Sequence, residues 1–519
     1  MLKHEVVLPP DYLYPPDEWR IVEARYSGEH ADLAETGFSL GNGFIGVRGS
    51  LGEGRPAQSP GTFINGFHET WPIVHAEEAP ALARTGQTII SVPDTTILQL
   101  YVDDEPLFLP TARVRSYARI LDMRAGTLAR ELVWSTPAGK HVRVRSCRIV
   151  SLEHRHVIAT RHEVTLLDHA APITICSLVV NRQDARLSGD LAAHRPADPR
   201  LTTVLPERVL NTRLSEVTGQ RILLGYQTTN SKMTLGVGVD HVIDTRCSYQ
   251  AVASVAEDTG EVAVTTQAQP GVPIQVTKYA AYQISRSVPV PELIGRYRRT
   301  LDRVAGDGFD ALAASQREHL DRFWDRADVR VRSRLNPVRH QQAIRWNLYQ
   351  IAQASWRAEG AGIPAKGLTG QGYEGHYFWD TEIYVLPFLS YTQPRIARNL
   401  LRFRHSMLGR ARERAREMSG RGACSRGGPS TARKPRRTSK PVPRNSISTP
   451  TSPTRSGAMP TSAVTWACSG RSAPRSWWRP PACGRTSGFT ATMGRSTSTV
   501  SPAPTNTPPW STTTPTPTS

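Results

Sequence analysis

The residues best suited to chemistry in this 519-residue chain lie in one run, Gly367-Leu-Thr-Gly-Gln-Gly-Tyr-Glu-Gly-His-Tyr-Phe-Trp-Asp-Thr-Glu382. It combines aromatic rings, carboxylates and glycines. A pyranose site needs that mixture: an aromatic face to cover the apolar C–H side of the ring, and carboxylates to accept hydrogen bonds from its hydroxyls. Trp379 and Asp380 are the leading candidates to hold a sugar, with Tyr373, His376 and Glu382 beside them. By composition alone a buried polar loop fits the run equally well. His376 taken singly reads as a structural histidine, and no second histidine stands at metal-ligand spacing, so no metal is expected.

Two earlier segments are rich in glycine. Glu35-Thr-Gly-Phe-Ser-Leu-Gly-Asn-Gly-Phe-Ile-Gly-Val-Arg-Gly-Ser50 is not followed by Lys-Ser/Thr and lies in no βαβ unit, which argues against a phosphate-cradling loop. Tight turns between strands are the simpler expectation. Gly61-Thr-Phe-Ile-Asn-Gly-Phe-His-Glu-Thr70 is similar, and its His68–Glu69 pair reads as structural.

The elements that must carry these segments change character along the chain. From about residue 20 to 285 apolar residues recur at every second position: Met233, Leu235, Val237 and Val239; Val262 and Val264; Ile274 and Val276; Val142 and Val144; Val164 and Leu166. That period marks half-buried antiparallel strands, and so many of them predict a large β-sandwich. Near Pro291 the period becomes helical. One helix is expected from Pro291 to Val304 and a second from Phe309 to Asp325. A further helix at about 338–357 carries Ile344, Leu348, Ile351 and Ser355 on one face. Pro394 opens another, striped by Leu400, Leu401, Met407 and Leu408.

Charge is distributed unevenly. The whole chain carries a formal +19, but residues 420–519 hold 14 Lys/Arg and no Asp or Glu, in a background of Ser, Thr and Pro. The first 419 residues therefore balance 50 basic against 45 acidic side chains, an ordinary ratio for an enzyme. No recognition motif accompanies the basic tail, so nucleic acid is not an expected partner. No apolar run approaches a membrane span, the N-terminus lacks a signal-peptide core, and Cys147, Cys176 and Cys247 form no framework of pairs. A cytoplasmic location with no membrane partner is the expectation.

Taken together, the segments resemble glycoside hydrolase family 65, which includes maltose, trehalose and kojibiose phosphorylases. The resemblance covers nearly all of residues 15–418. It rests on Glu35–Ser50, Gly61–Thr70, Leu121-Asp-Met-Arg-Ala-Gly126, Asn399–Arg404 and above all Gly362–Glu382. It implies an α+β multidomain chain: an N-terminal antiparallel β-sandwich over 1–285, a helical linker over 286–335 and an (α/α)6 barrel begun over 336–418. It also implies inverting phosphorolysis of an α-linked disaccharide to β-glucose 1-phosphate, with inorganic phosphate as co-substrate, no cofactor, and a homodimer for an intact member. A glutamic acid would protonate the glycosidic oxygen while phosphate attacks from the opposite face. Trp379 and Asp380 match the residues that hold the transferred glucosyl unit. Some relatives are hydrolases, so hydrolysis of a trehalose-type glucoside is the alternative, and a non-catalytic carbohydrate-binding remnant is another.

The chain departs from the family after residue 418. The general acid belongs to a Gly-Pro-Asp-Glu-Tyr motif that nothing here matches, so no catalytic residue is assigned. The tail, 419–519, reads as a disordered basic extension arising from a shifted reading frame. Back-translated and started one base earlier, Ser496–Thr507 permits Phe-His-Ile-His-Gly-Val-Ser-Gly-Pro-Asp-Glu-Tyr, placing the lost glutamate codon across Thr505 and Asn506. The frame change is expected between about Glu417 and Ala423, and the chain is expected to be inactive.

Overall fold

The computed structural model describes residues 9–58, 61–73, 84–182, 208–370 and 372–417. The tail from Met418 onward, with the frame-shift and disorder readings attached to it, lies outside the described residues.

Alternation of apolar and polar residues yields eighteen strands among the described residues. The first nine are β1 (Arg20–Glu23), β2 (Leu40–Gly41), β3 (Ile45–Val47), β4 (Thr62–Pro72), β5 (Thr85–Val92), β6 (Asp94–Val102), β7 (Glu105–Pro106), β8 (Arg113–Asp122) and β9 (Thr127–Ser135). The rest are β10 (His141–Val150), β11 (Val157–Leu166), β12 (Ala171–Val180), β13 (Leu210–Thr218), β14 (Arg221–Thr228), β15 (Thr234–Thr245), β16 (Tyr249–Val255), β17 (Thr259–Ala268) and β18 (Ile274–Ser285). They form three antiparallel sheets, ordered β1-β8-β9-β10-β11-β18-β15-β14-β13, β16-β17-β12-β6-β7 and β2-β3-β4-β5.

The large and middle sheets face each other across one apolar core. The expected inward residues are buried there: Leu235, Val237, Val239, Val142, Val144, Val164, Leu166, Val262, Val264, Ile274 and Val276. Polar bonds also cross the gap. Lys278 of β18 donates to the carbonyls of Ile97 and Leu178, Arg148 of β10 to that of Thr96, and Tyr282 to that of Pro93. The antiparallel β-sandwich predicted from the period-two pattern is therefore present.

Helix α1 (Ala31–Gly37) precedes β2. The opposite face of the large sheet is covered by α2 (Val290–Ala327), which opens with proline in its first turn. Tyr297, Leu301, Val304 and Leu312 of α2 pack on Ile149, Val157, Leu223, Tyr279 and Ala281. Gly236 makes the close approach possible, since a Cβ there would lie 2.2 Å from the Tyr297 ring. The two helices expected over 291–325 are both present within this stretch, and they meet at Gly308, whose φ of 81° and ψ of 164° leave the helical region.

Beyond it come α3 (Pro337–Ser355), α4 (Leu386–Thr392), α5 (Pro394–Ser406) and α6 (Leu408–Glu417). On α3 the structure corrects the expected orientation. Its buried side is largely polar, carrying Gln341, Arg345, Tyr349, Ala352 and Gln353, while of the expected face Ser355 is buried and Ile344, Leu348 and Ile351 are only half-buried. Full satisfaction makes the polar burial possible. Arg345 pairs with Asp328 at 2.9 Å and Glu18 at 3.0 Å and stacks 3.7 Å over Trp19. Gln341 donates to the Val329 carbonyl and accepts from the Val331 N–H. On α5 the buried residues are Ile396, Ala397, Leu400 and Phe403, and Leu401 is exposed.

Candidate functional site

The site is built on the glycine-rich hairpin β2–β3. Gly43 makes the turn with φ 86°, the left-handed value that glycine adopts without strain. Asn42 locks it. Its side-chain oxygen accepts from the N–H groups of Phe44 and Ile45 at 2.9 and 2.8 Å, and its amide donates to the carbonyls of Ser151 and Arg155 at 2.7 and 3.1 Å. Tight turns were the expected role of this segment, and the hairpin fills it.

The same hairpin is also a floor for residues 353–370, about 310 positions later. Gln353 accepts from the Gly41 N–H at 2.5 Å, and the Arg357 N–H donates to the Asn42 carbonyl at 2.6 Å. Arg48 donates to the Thr369 carbonyl at 2.6 Å, and Asn65 bridges the carbonyls of Gly43 and Gly362 at 2.9 Å each. Leu368 lies over Gly46 so closely that a Cβ there would stand 2.2 Å from it. A groove of about 310 Å³ runs along this junction, lined by Gly46, Trp346, Gln350, Ile351, Leu368 and Val385.

From this floor the chain rises to the predicted site residues. Tyr373, Glu374 and Gly375 take φ values of 57°, 57° and 70° in succession. Left-handed backbone at two consecutive non-glycine residues is costly and is commonly held in place at functional sites. Gly375 is obligatory for packing as well, because a Cβ would lie 2.6 Å from that of Ile89. The Tyr373 ring meets Phe378 edge-on at 5.7 Å, with the Lys366 ammonium 5.5 Å from its centroid.

His376 is buried, with Nε2 3.1 Å from the Glu374 carboxylate, and its main chain pairs with Tyr373 and Ala365. It sits beneath the surface, as a structural histidine would. Tyr377 behind it is buried edge-on against Phe403 at 5.1 Å, and its hydroxyl receives Arg404. Arg404 also pairs with Glu382 at 3.2 Å. Burial pushes the Glu382 carboxyl above its usual range, and Arg404 opposes the shift.

Trp379 and Asp380 stand at the top. Trp379 is 60 % exposed although indole rings are usually well buried, and Asp380 is exposed beside it. Asp380 leads into a π-helical turn, Thr381–Val385, a rare geometry frequent at functional sites. The Trp379 carbonyl accepts from the N–H groups of Glu382 and Ile383 at 3.0 and 3.1 Å. An exposed ring and an adjacent carboxylate on a firmly held turn can cover one face of a sugar and bind its hydroxyls. The structure thus gathers Tyr373, His376, Trp379, Asp380 and Glu382 on one segment, with His376 and Glu382 engaged internally and Trp379 and Asp380 open.

The His68–Glu69 pair borders this segment, His68 lining a small pocket with Gly362, Gly375 and Tyr377. Glu69 accepts from the N–H groups of Asn230 and Ser231 at 2.9 and 2.6 Å and fixes the β14–β15 turn, so the structural reading holds. Sequence reasoning missed Arg48, Asn65, Gln353 and Arg404 as supports. Arg48, Asn65 and Arg404 had a signal, their places in the Glu35–Ser50, Gly61–Thr70 and Asn399–Arg404 runs, and Gln353 had none. Among the described residues no group of three or more His, Cys, Asp or Glu could hold a metal, and no helix is long and apolar enough to cross a membrane.

The described chain is thus a β-sandwich leading through a helical stretch to a helical region that presents an open Trp-Asp turn. The comparisons name the family. Residues 21–323 match the glycosyl hydrolase family 65 N-terminal domain and residues 345–426 its central catalytic domain. The chain belongs to glycosyl hydrolase family 65, whose members are hydrolases and phosphorylases acting on α-glucosides. It is 37 % identical over 411 residues to an uncharacterized glycosyl hydrolase of Mycobacterium tuberculosis, covering 79 % of this chain and 51 % of the relative. It is 34 % identical over 415 residues to an alpha,alpha-trehalose phosphorylase of Thermoanaerobacter brockii, covering 79 % and 52 %. A solved structure named as a kojibiose phosphorylase from human microbiome aligns with a TM-score of 0.68 at 22 % identity, over 80 % of this chain and 52 % of that one. The chain spans about half the length of the curated relatives it matches.

Proposed function

We propose that this chain carries the glucose-holding half of an inverting α-glucoside phosphorylase, with Trp379 and Asp380 as the residues that bind the transferred glucosyl unit. The observation that carries this reading is the open Trp379–Asp380 pair on a turn anchored from beneath. Names of two relatives, an alpha,alpha-trehalose phosphorylase and a kojibiose phosphorylase, support an α-linked disaccharide and phosphate as substrates. Tyr373 shapes the rim, and Glu382 orients the turn through Arg404. The division into a β-sandwich over 1–285, a linker over 286–335 and the beginning of a barrel over 336–418 belongs to the same reading.

No residue here is assigned the general-acid role. Without a placed acid, leaving-group protonation loses about 10²–10⁴-fold, so the chain as written neither phosphorolyses nor hydrolyses α-glucosides. Resequencing the gene across codons 410–430 tests the frame reading.

The binding role is tested by titrating glucose, maltose, trehalose and kojibiose into the chain while following tryptophan emission. Quenching that disappears in both Trp379→Ala and Asp380→Ala supports the role. Quenching unchanged in both variants, or no sugar response at all, overturns it. With the gene re-framed, phosphate-dependent release of β-glucose 1-phosphate separates phosphorolysis from hydrolysis, which would release free glucose alone.

A further inference from the structure

A second feature lies inside the β-sandwich, away from the Trp379–Asp380 turn. Between the large and middle sheets is a cavity of about 30 Å³, lined by Ser50, Thr96, Arg119, Arg130, Arg148 and His162 among others, with no carboxylate in its wall. Three guanidinium groups around one interior void are costly unless each is paired. Arg130 is paired in bidentate fashion with Glu53, and Arg119 has Glu23 at 3.9 Å and the Gly49 carbonyl.

Arg148 has no such partner. It is 6 % exposed, and Nη2 donates to the Thr96 carbonyl at 3.1 Å. Its Nε and Nη1 have no hydrogen-bond partner among the described residues. The neighbouring Asp94 carboxylate accepts from the Thr96 N–H and hydroxyl at 2.8 and 2.7 Å through Oδ1, its Oδ2 faces Arg182 at 4.0 Å, and it makes no hydrogen bond to Arg148. Two more groups of the same wall are also without partners there: Nε2 of His162, 2 % exposed, and Oγ of Ser50, 7 % exposed. All three can donate, since a neutral imidazole can carry its proton on Nε2. Burial holds the Arg148 guanidinium below its usual value, to about 10; Asp94 and Glu53 oppose the shift, and the positive charges of Arg119 and Arg130 add to it. An anion would relieve both the missing hydrogen bonds and the like-charge repulsion.

Size narrows the class. One water needs roughly 10–15 Å³ of such space, so this cavity takes a monatomic ion or about two waters and excludes phosphate and sulfate. We propose that the cavity is a buried halide site, occupied by one chloride ion held by Arg148, His162 and Ser50. The ion would act as a structural counter-charge that ties β10 and β11 to the loop after β3.

The test is thermal unfolding of the full chain in sodium chloride against sodium gluconate at matched ionic strength. Above half-saturation, each tenfold rise in chloride raises the folded-to-unfolded ratio about tenfold, and gluconate does not. Arg148→Met abolishes the chloride dependence. Should that variant fail to fold, Ser50→Ala, which removes one donor and no charge, raises the chloride concentration needed for half-effect. Crystals soaked in sodium bromide give an anomalous peak beside Arg148. Superimposable chloride and gluconate curves, or ordered water alone in the cavity of bromide-soaked crystals, overturn the proposal.

Discussion

Gly46→Ala tests whether the hairpin is the floor of the site. The added Cβ would stand 2.2 Å from the Cβ and carbonyl oxygen of Leu368 and 2.8 Å from its carbonyl carbon. Two of those atoms are main chain, so no rotamer change relieves the clash. Leu368 is 4 % exposed and packs on Phe63 and Ile89, so the segment must lift away from a filled position. Overpacking of this kind costs about 1–3 kcal/mol. Because the strain falls on one docked segment, its main effect is to raise the population in which residues 361–370 are detached. Lys366 is exposed and lies two positions from Leu368. When opening is fast relative to cleavage, the rate of cutting follows the open population. Trypsin should therefore cut after Lys366 roughly 5- to 150-fold faster than in the parent chain, the range that 1–3 kcal/mol corresponds to. Mass spectrometry of a digestion time course resolves that one cut among the many others. Gly37→Ala is the control, since a Cβ there meets nothing within 4 Å. Equal rates of cutting after Lys366 in Gly46→Ala, Gly37→Ala and the parent would refute the floor.

Asn42→Ala removes four hydrogen bonds to main-chain groups, three buried and one part-buried, each worth about 1 kcal/mol. The urea midpoint should fall by the equivalent of about 4 kcal/mol with the slope of the transition unchanged; a loss below about 1 kcal/mol would contradict the locking role. Burial holds His68, His156 and His162 down at about 4 and His241 at about 3. An unfolded histidine binds its proton near about 6.5, so as pH falls from there toward 4 the unfolded state binds more protons and stability is lost. His241→Gln should flatten that loss by up to about 1.4 kcal/mol per pH unit, and an identical slope would show that His241 titrates normally. Arg404→Met removes the cation opposing the burial shift of Glu382, so carbon NMR of that carboxyl should show its titration moving further up; an unchanged titration would mean that Arg404 does not reach it.

The parts of this molecule legible in its sequence are those governed by periodicity. Val142 and Val144, or Ile274 and Val276, announce strands because a pleated chain exposes alternate residues to one core. Pro291 marks the change to helix because its ring fits a first helical turn. Residue type alone left the Trp379–Asp380 run open between a buried polar loop and a site, and the structure places both side chains at the surface. The supports of that pair were not visible. Gln353 meets Gly41, and Arg48 meets Thr369, through main-chain atoms that every residue possesses, across more than 300 positions. Arg345 illustrates a second difficulty. An apolar stripe marks the side of a helix that must leave water, but polar residues with partners elsewhere can leave water too. On α3 the buried face was set by Asp328, Glu18 and Trp19, none of which the helix itself contains. The break at Gly308 was legible, because the apolar stripe ending at Val304 restarts at Phe309 across the glycines Gly306 and Gly308.

The position of β18 has a consequence for how the chain is made. This strand, Ile274–Ser285, lies in the middle of the large sheet, hydrogen-bonded to β11 on one side and β15 on the other. In the large sheet, β1 with β8 through β11 on one side and β13 through β15 on the other therefore wait on it as two unjoined halves. On a ribosome these halves emerge first, each with an open sheet edge able to pair with a neighbouring nascent chain. When β18 emerges it closes both edges at once, and the following α2 covers the completed face. Only then does α3 find the finished surface against which its polar side is satisfied. Synthesis from the N-terminus thus passes through one vulnerable interval, ending at about residue 285. A pause in translation before that point would expose both edges for longer, whereas a pause after it would leave a closed sheet behind.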